Sequence, residues 1–423
     1  MAASEPTQAY VWVWLPQASD PVVAGRLRTA GELITFTYGR SYLAVAGASP
    51  LFMPELPLGA RTIRPPGGLP VASCIRDAGP DAWGQRVILA RRVGHLDPRH
   101  DTGSLGLLSY LLESGSDRIG ALDFQTSATD YVPRIGHATL SELQSAAQLL
   151  TAGEQLSPAL AEALLRGTSI GGARPKALLH DAPGGRQLIA KFEVASDPFP
   201  VVRAEAVAMG LAARVGLNVA PTELIECQGK AVLLVERFDR TLTANGDVHR
   251  RMLVSALTLF GLDEMTARYA TYHGLADLIR QRFTEPKSTL RELFARIVFN
   301  ICVSNTDDHA RNHAAFYRFD PAGIDLALTP AYDICPQLRS GESAEQAMAI
   351  DRDGRRVSRL QLCVQAAHLY QLTTGQAQEI VDAQVATIEA EWSDAADAAR
   401  LTTGERAQLW HRQILNPAIH YDL

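Results

Sequence analysis

The chemistry-bearing part of this 423-residue chain is the run Ile297–Asn312, IVFNICVSNTDDHARN, with Asp333 beyond it. The run closes on a polar cluster: Asn305, Asp307, Asp308, His309, Arg311 and Asn312. Asp307 and Asn312 stand five residues apart. Kinase-type catalytic loops use that spacing for an acceptor-facing aspartate and a metal-binding asparagine, and a later aspartate completes the metal site. The chemical need is specific. A phosphoryl group in transfer carries negative charge, which magnesium neutralises through a few hard oxygen ligands. A separate carboxylate orients or deprotonates the attacking hydroxyl.

Upstream lie groups that could grip phosphates. Residues 168–179, TSIGGARPKALL, begin as a small, glycine-bearing loop and continue as an apolar run. Such a loop lets backbone N–H groups approach an anion. Alone it is equally a turn between strands. Lys191 sits in a strand-like segment, 187–193, and Glu205 in a helix-like one, 201–215, closed by Gly216. A glycine loop, a strand lysine and a helix glutamate follow in the order of a kinase's phosphate-holding lobe, with Lys191 on the ATP phosphates and Glu205 orienting it. The strand 231–235 then leads to Glu236-Arg-Phe-Asp-Arg240, where such a lobe has its adenine hinge.

Most positioning elements follow from residue patterns. Leu290, Leu293, Phe294, Ile297, Val298 and Ile301 recur at helical spacing, and Thr289 with Glu292 reads as a capping box starting that helix. Strands are expected at 314–319 and 324–328 around an Asp-Pro-Ala-Gly turn, and at 10–14, 33–38 and 118–124. Helices are expected near 80–93, 105–112, 140–152, 157–166, 253–260, 266–283, 364–370, 375–392 and 404–415. This predicts an α+β, two-lobed, protein-kinase-like fold. The expected divisions are an N-terminal subdomain (1–125), a connector (126–145), a nucleotide-gripping region (146–245) and a helical catalytic lobe (246–423).

Composition narrows the class. Hydrophobic residues make up 47% and charged ones 20%, as in an ordinary globular protein. A net charge of −6 gives no global reason to expect direct nucleic-acid binding. Five scattered cysteines without C-x-x-C spacing read as buried free thiols of a reducing compartment. No apolar run is long enough to span a membrane, and the first ten residues lack a signal peptide's basic and apolar parts. A cytoplasmic protein is expected.

Four segments in order, Ser169–Leu179, Val235–Arg240, Asn305–Asn312 and Tyr332–Ile334, make the chain resemble the HipA family of bacterial serine/threonine kinases, toxins of type II toxin–antitoxin modules. Gly79–Arg86 and Asp117–Gly120 are weaker marks of the same family in the N-terminal region. The resemblance implies that Asp307 is catalytic, and that Asn312 and Asp333 hold Mg2+. It implies that Lys191 contacts ATP phosphates, and that Glu236 and Phe238 line the adenine hinge. Ser169, Ile170, Gly171, Gly172 and Ala173 would cover the phosphates, with Ser169 at the position of an inhibitory autophosphorylation site. His309 is placed among the nucleotide-binding residues, although the residues alone read Asp308 and His309 as holding the loop. The implied partners are a small helix-turn-helix antitoxin, through which any DNA contact is indirect, and a protein substrate such as an aminoacyl-tRNA synthetase. One departure stands out: 250–261, RRMLVSALTLFG, lacks the Gln-Glu-Asp-rich segment common in the family, which bears on substrate identity and toxicity.

Other readings exist. Asp307, Asp308, His309 and Asp333 also fit a metal-dependent hydrolase, but that explains neither Asn312 nor Lys191. A small-molecule kinase shares the Asp-to-Asn spacing and differs in acceptor. A kinase-like co-repressor without phosphate transfer would need only the antitoxin.

Overall fold

A computed structural model describes residues 5–93, 103, 105–136, 138–166, 174–181, 185–320, 323–339 and 341–422. The chain divides into two compact units. The first contains Met1–Ser196, Ile225–Val254 and Tyr317–Ile324; the second contains Asp197–Leu224, Ser255–Phe316 and Asp325–Leu423.

In the first unit, β1 (Gln8–Val13), β2 (Val22–Ala30), β3 (Leu33–Tyr38) and β4 (Leu122–Gln125) form a sheet in the order β3-β2-β1-β4. Its pairs are antiparallel. A second sheet has the order β5-β6-β8-β7, from β5 (Lys176–Asp181), β6 (Arg186–Phe192), β7 (Thr222–Cys227) and β8 (Lys230–Glu236). In β6, Leu188, Ala190 and Phe192 are buried, while Gln187, Ile189 and Lys191 are only half-buried. Strand side chains alternate between faces, so Lys191 lies opposite Phe192, as expected. Helices Ala82–Val93, Leu140–Ala152 and Pro158–Arg166 share one core with this sheet through Trp83, Val87, Leu143, Leu164, Phe192 and Val232. The capping box present here is Thr139 with Glu142.

The second unit is built on the helix Pro286–Cys302. Its stripe Leu290, Leu293, Phe294, Ile297, Val298 and Ile301 is fully buried. Truncating one such leucine to alanine would cost about 2–5 kcal/mol. Helices Tyr272–Arg282 and Thr374–Ala398 pack on it, and Thr374–Ala398 also meets Val201–Arg214. Back in the first unit, the short β9 (Arg240–Leu242) and β10 (Val248–Arg250) form a ribbon. Three further strands, β11 (Leu253–Ser255), β12 (Ala314–Asp320) and β13 (Gly323–Leu328), form a sheet in that order.

Several expectations change. Thr289 does not start its helix; Pro286 occupies the first turn, where its fixed φ suits it, and the Thr289 hydroxyl donates to Glu285 O at 2.6 Å. Glu292 instead pairs with Arg296 at 2.8 Å. The apolar run 253–260 is a strand and then a short helix, Ala256–Phe260, capped by Ser255. Residues 266–283 split into the 3-10 turn Ala267–Tyr269 and the helix Tyr272–Arg282, because Thr271 caps the latter. The final expected helix is shorter, Thr403–Leu409, while Thr374–Ala398 is longer. Gly216 does follow its helix, at φ +84°. Four cysteines are buried and Cys227 is half-buried, all as free thiols. No helix among the described residues is long and apolar enough to cross a membrane.

Candidate active site

The loop after helix Pro286–Cys302 is folded by its own backbone. Ser304 turns left-handed at φ +54°, which lets Asn305 N donate back to Asn300 O at 2.8 Å. His309 N donates to Asp307 O at 2.8 Å, and Asn312 N to His309 O at 2.9 Å. The Asn312 amide Nδ2 donates to Asp307 O at 3.2 Å. Asp307 and Asn312 are therefore brought together, and the amide's Nδ2 is engaged with the loop while its Oδ1 is the atom suited to a cation.

Asp308 turns the other way. It is buried, and its Oδ2 accepts from Tyr272 Oη at 2.7 Å, Asn300 Nδ2 at 2.8 Å and His313 Nε2 at 2.8 Å. Asn305 Nδ2 extends the cluster to Asn300 Oδ1 at 3.0 Å. Burial alone would raise the Asp308 carboxyl, but His313, Tyr272 and His309 hold it below its ordinary value. The loop-holding role expected of Asp308 is what these bonds provide. The His309 side chain is exposed, and its backbone shapes the turn.

Asp333 is reached through a second anchored segment. Arg296, buried, donates to Thr329 O at 2.8 Å and Asn218 O at 3.2 Å. Ala331 N donates to Asn218 O at 2.7 Å, and Tyr332 Oη to Arg311 O at 2.7 Å. Asp333 then takes φ +60°, a left-handed conformation costing on the order of 1 kcal/mol for a residue with a side chain. Asp307 is exposed by surface area yet low enough among its neighbours that desolvation raises its carboxyl. His309 opposes that shift, while Asp333 and then Asp308 add to it.

In the first unit, β8 ends at Glu236 and side chains then alternate. Glu236 and Phe238 are half-buried; Arg237 and Asp239 are buried. Arg237 donates to Asp117 Oδ1 at 2.8 Å, Asp239 Oδ1 at 3.0 Å and Arg118 O at 2.7 Å. Arg240 donates to Asp117 Oδ1 at 2.8 Å and Gly120 O at 2.9 Å. Gly120 N donates to Asp239 Oδ2 at 2.7 Å. Burial would push Asp117 up, yet Arg237, Arg240 and Arg250 hold it far below the usual carboxylate range. Arg250 itself is pushed down to about 10, by burial and then by Arg240. The segment is thus pinned by its inward side chains, and Glu236 and Phe238 are the ones left outward.

Lys191 faces Lys176 across β5 and β6. Lys176 is buried, with Nζ 3.4 Å from Asp81 Oδ2. Glu205 is buried on the helix Val201–Arg214 of the second unit. Ser169, Ile170, Gly171, Gly172 and Ala173 lie outside the described residues. Sequence reasoning missed Arg296, Tyr272, Asn300 and His313 as supports of the loop. Their signal was polar residues set in apolar helical or strand-like runs.

Residues 168–392 match the family model of the HipA-like C-terminal domain. The chain belongs to the HipA-like family. It is 34% identical over 160 residues to "Putative kinase Y4mE" of Sinorhizobium fredii, covering 36% of each chain. It is 27% identical over 164 residues to the serine/threonine-protein kinase toxin HipA of Shewanella oneidensis, covering 35% of this chain and 37% of that one. These matches span little more than a third of either relative's length. A solved Shewanella oneidensis MR-1 complex of HipA, HipB and operator DNA is similar with a TM-score of 0.65 and 17% identity, over 98% of this chain and 100% of that one. The α+β, kinase-like fold expected from the sequence is the fold of this HipA-like chain.

Proposed function

We propose that this HipA-like chain is an ATP- and magnesium-dependent serine/threonine protein kinase, and the toxin of a toxin–antitoxin module. The observation that carries the reading is the loop in which the Asn312 amide is fixed to the Asp307 carbonyl and the buried Asp308 holds the turn through Tyr272, Asn300 and His313. The Asp333 carboxylate and the Asn312 amide oxygen are hard donors that suit magnesium. Asn312 and Asp333 would hold it, and it would supply charge neutralisation at the transferred phosphoryl group.

The protein's own residues do the rest. Asp307 would accept a hydrogen bond from the acceptor serine or threonine hydroxyl and take its proton as that oxygen attacks the terminal phosphorus, while the bridging bond from that phosphorus to the β-phosphate oxygen breaks and ADP leaves. A raised carboxyl suits that role, because a more basic carboxylate accepts a proton more readily. Asp308 keeps Asp307 in place from behind. Lys191 contacts the ATP phosphates, Glu236 and Phe238 take the adenine, and His309 borders the nucleotide. By the family resemblance, Ser169–Ala173 would cover the phosphates, and phosphorylation of Ser169 would add about −1.5 to −2 charge there, opposing nucleotide.

By analogy with the HipA–HipB–DNA complex, the partner is a small helix-turn-helix antitoxin that carries any DNA contact. The substrate is a cytoplasmic translation protein such as an aminoacyl-tRNA synthetase. The test is magnesium-dependent ATP binding by calorimetry. Asp333→Asn is expected to weaken it by at least about tenfold, or ~1.4 kcal/mol. ATP binding that needs neither magnesium nor Asp333 would overturn the metal assignment.

A further inference from the structure

The second unit holds a cavity of about 510 Å³ bordered by Arg339, Glu342, His411, Arg412 and Tyr421, among others. Its wall begins next to the candidate catalytic loop. Gln337 N donates to Ser304 O at 2.9 Å, and the Ser304 hydroxyl to Gln413 O at 2.6 Å. Arg339 Nη1 lies 3.4 Å from Ser304 Oγ. Ala347 N donates to Thr306 O at 3.0 Å, so the segment after Asp333 runs along the loop that carries Asp307.

The charges there are unbalanced. Arg339 has hydroxyl and carbonyl partners, Ser304 Oγ and Glu342 O, but no carboxylate among the described residues. Its Nε is buried with no acceptor. Arg359 approaches the same Glu342 carbonyl at 3.5 Å and stands over the Tyr421 ring, 5.4 Å from its centroid. Arg412 is exposed and forms no ion pair among the described residues. Burial, and then Arg359, lower the Arg339 pKa, so a half-desolvated cation faces a second one. Among the described residues, Glu342 is the one carboxylate on the wall, and its Oε1 lies 3.5 Å from Tyr421 Oη. An anion entering the cavity would meet Arg339 and Arg412, which line it, while Arg359 adds positive charge from beside Glu342 O and the Tyr421 ring.

We propose that this cavity is a specificity site for the protein substrate, taking an acidic side chain of the acceptor peptide. The proposal rests on the kinase reading for its substrate, though not for its binding chemistry. Reach bounds the register. Ser304 and Asp307 are three residues apart, so their Cα atoms are at most about 11 Å apart. An extended peptide rises about 3.3 Å per residue, so the stretch from Asp307 to the near edge of the wall is spanned by about three peptide residues. Guanidinium groups suit a carboxylate because their planar N–H groups match its two oxygens.

The test uses the full chain and fluorescence anisotropy at low ionic strength, where exposed charges are least screened. The probes are a fluorescein-labelled serine-centred peptide with flanking glutamates, and its glutamine and lysine counterparts. The glutamate peptide is expected to bind saturably, at least about tenfold tighter than the glutamine one, and Arg412→Glu to abolish that difference. Arg412→Ala, expected to lose part of it, guards against misfolding of the charge reversal, with thermal unfolding as the control. Equal binding of all three peptides, or an acidic preference unchanged in both variants, would overturn the site. Displacement of the glutamate peptide by inorganic phosphate, but not by chloride at equal ionic strength, would also overturn the carboxylate assignment. Acidic-peptide binding without ATP binding would remove the kinase reading and keep the pocket; the converse would remove the pocket alone.

Discussion

Two buried polar clusters organise this chain, and they are made of different chemistry. In the first unit, Arg237 and Arg240 are neutralised by Asp117 and Asp239, ion against ion. In the second, the single charge of Asp308 is dispersed over a phenol, an amide and an imidazole. Removing one partner of a buried ion pair strands a charge; removing one neutral donor leaves the carboxylate two others. The first arrangement is rigid and costly to break, which suits a segment that presents Glu236 and Phe238 in fixed positions. The second tolerates adjustment, which suits the proposed role of Asp307 towards an acceptor hydroxyl.

The difference can be broken experimentally. Asp239→Ala leaves two buried guanidinium groups undercompensated and should cost about 3–5 kcal/mol in urea unfolding. A loss under ~1 kcal/mol would mean that solvent reaches the cluster. Asp308→Asn keeps the shape but removes the charge that three donors address, and should cost about 1.5–3 kcal/mol. If it costs more than Asp239→Ala, the ranking of the two clusters is reversed. Tyr332→Phe removes one neutral hydrogen bond, to Arg311 O, and should cost only about 1 kcal/mol.

Acidification tests both clusters together. Asp117, Asp239 and Asp308 are all held below their ordinary values. Their stabilisation is therefore complete above the unfolded carboxylate pKa, about 3.9, and is lost as pH falls through the lower folded values. Unfolding should begin only below about pH 4. Asp307 moves oppositely, so the acid limb of phosphate transfer should lie above that of an ordinary aspartate and shift downward as magnesium is raised. A limb that ignores magnesium would contradict the proposed metal site beside Asp307.

Short-range pattern carried much of this into the sequence. Leu188, Ala190 and Phe192 alternate along β6, and the stripe from Leu290 to Ile301 marks its helix, because strand and helix periods are local properties. Thr289 and Glu292 misled because they mimic a cap that Pro286 makes unnecessary one turn earlier. The run 253–260 was ambiguous because a short apolar segment suits strand and helix alike. The spacing of Asp307 and Asn312 was legible, and the loop brings them together. Their supports were not. Tyr272 lies 36 residues before Asp308, and Arg237 lies 120 after Asp117, so no local period connects them.

The central claim is the proposal that Asp307 is the base for phosphoryl transfer from ATP to a protein hydroxyl. Transfer of label from γ-labelled ATP to protein acceptors should be abolished in purified Asp307→Ala, while ATP affinity and urea unfolding stay close to wild type. Label transferred by Asp307→Ala as well as by the wild-type chain would contradict it.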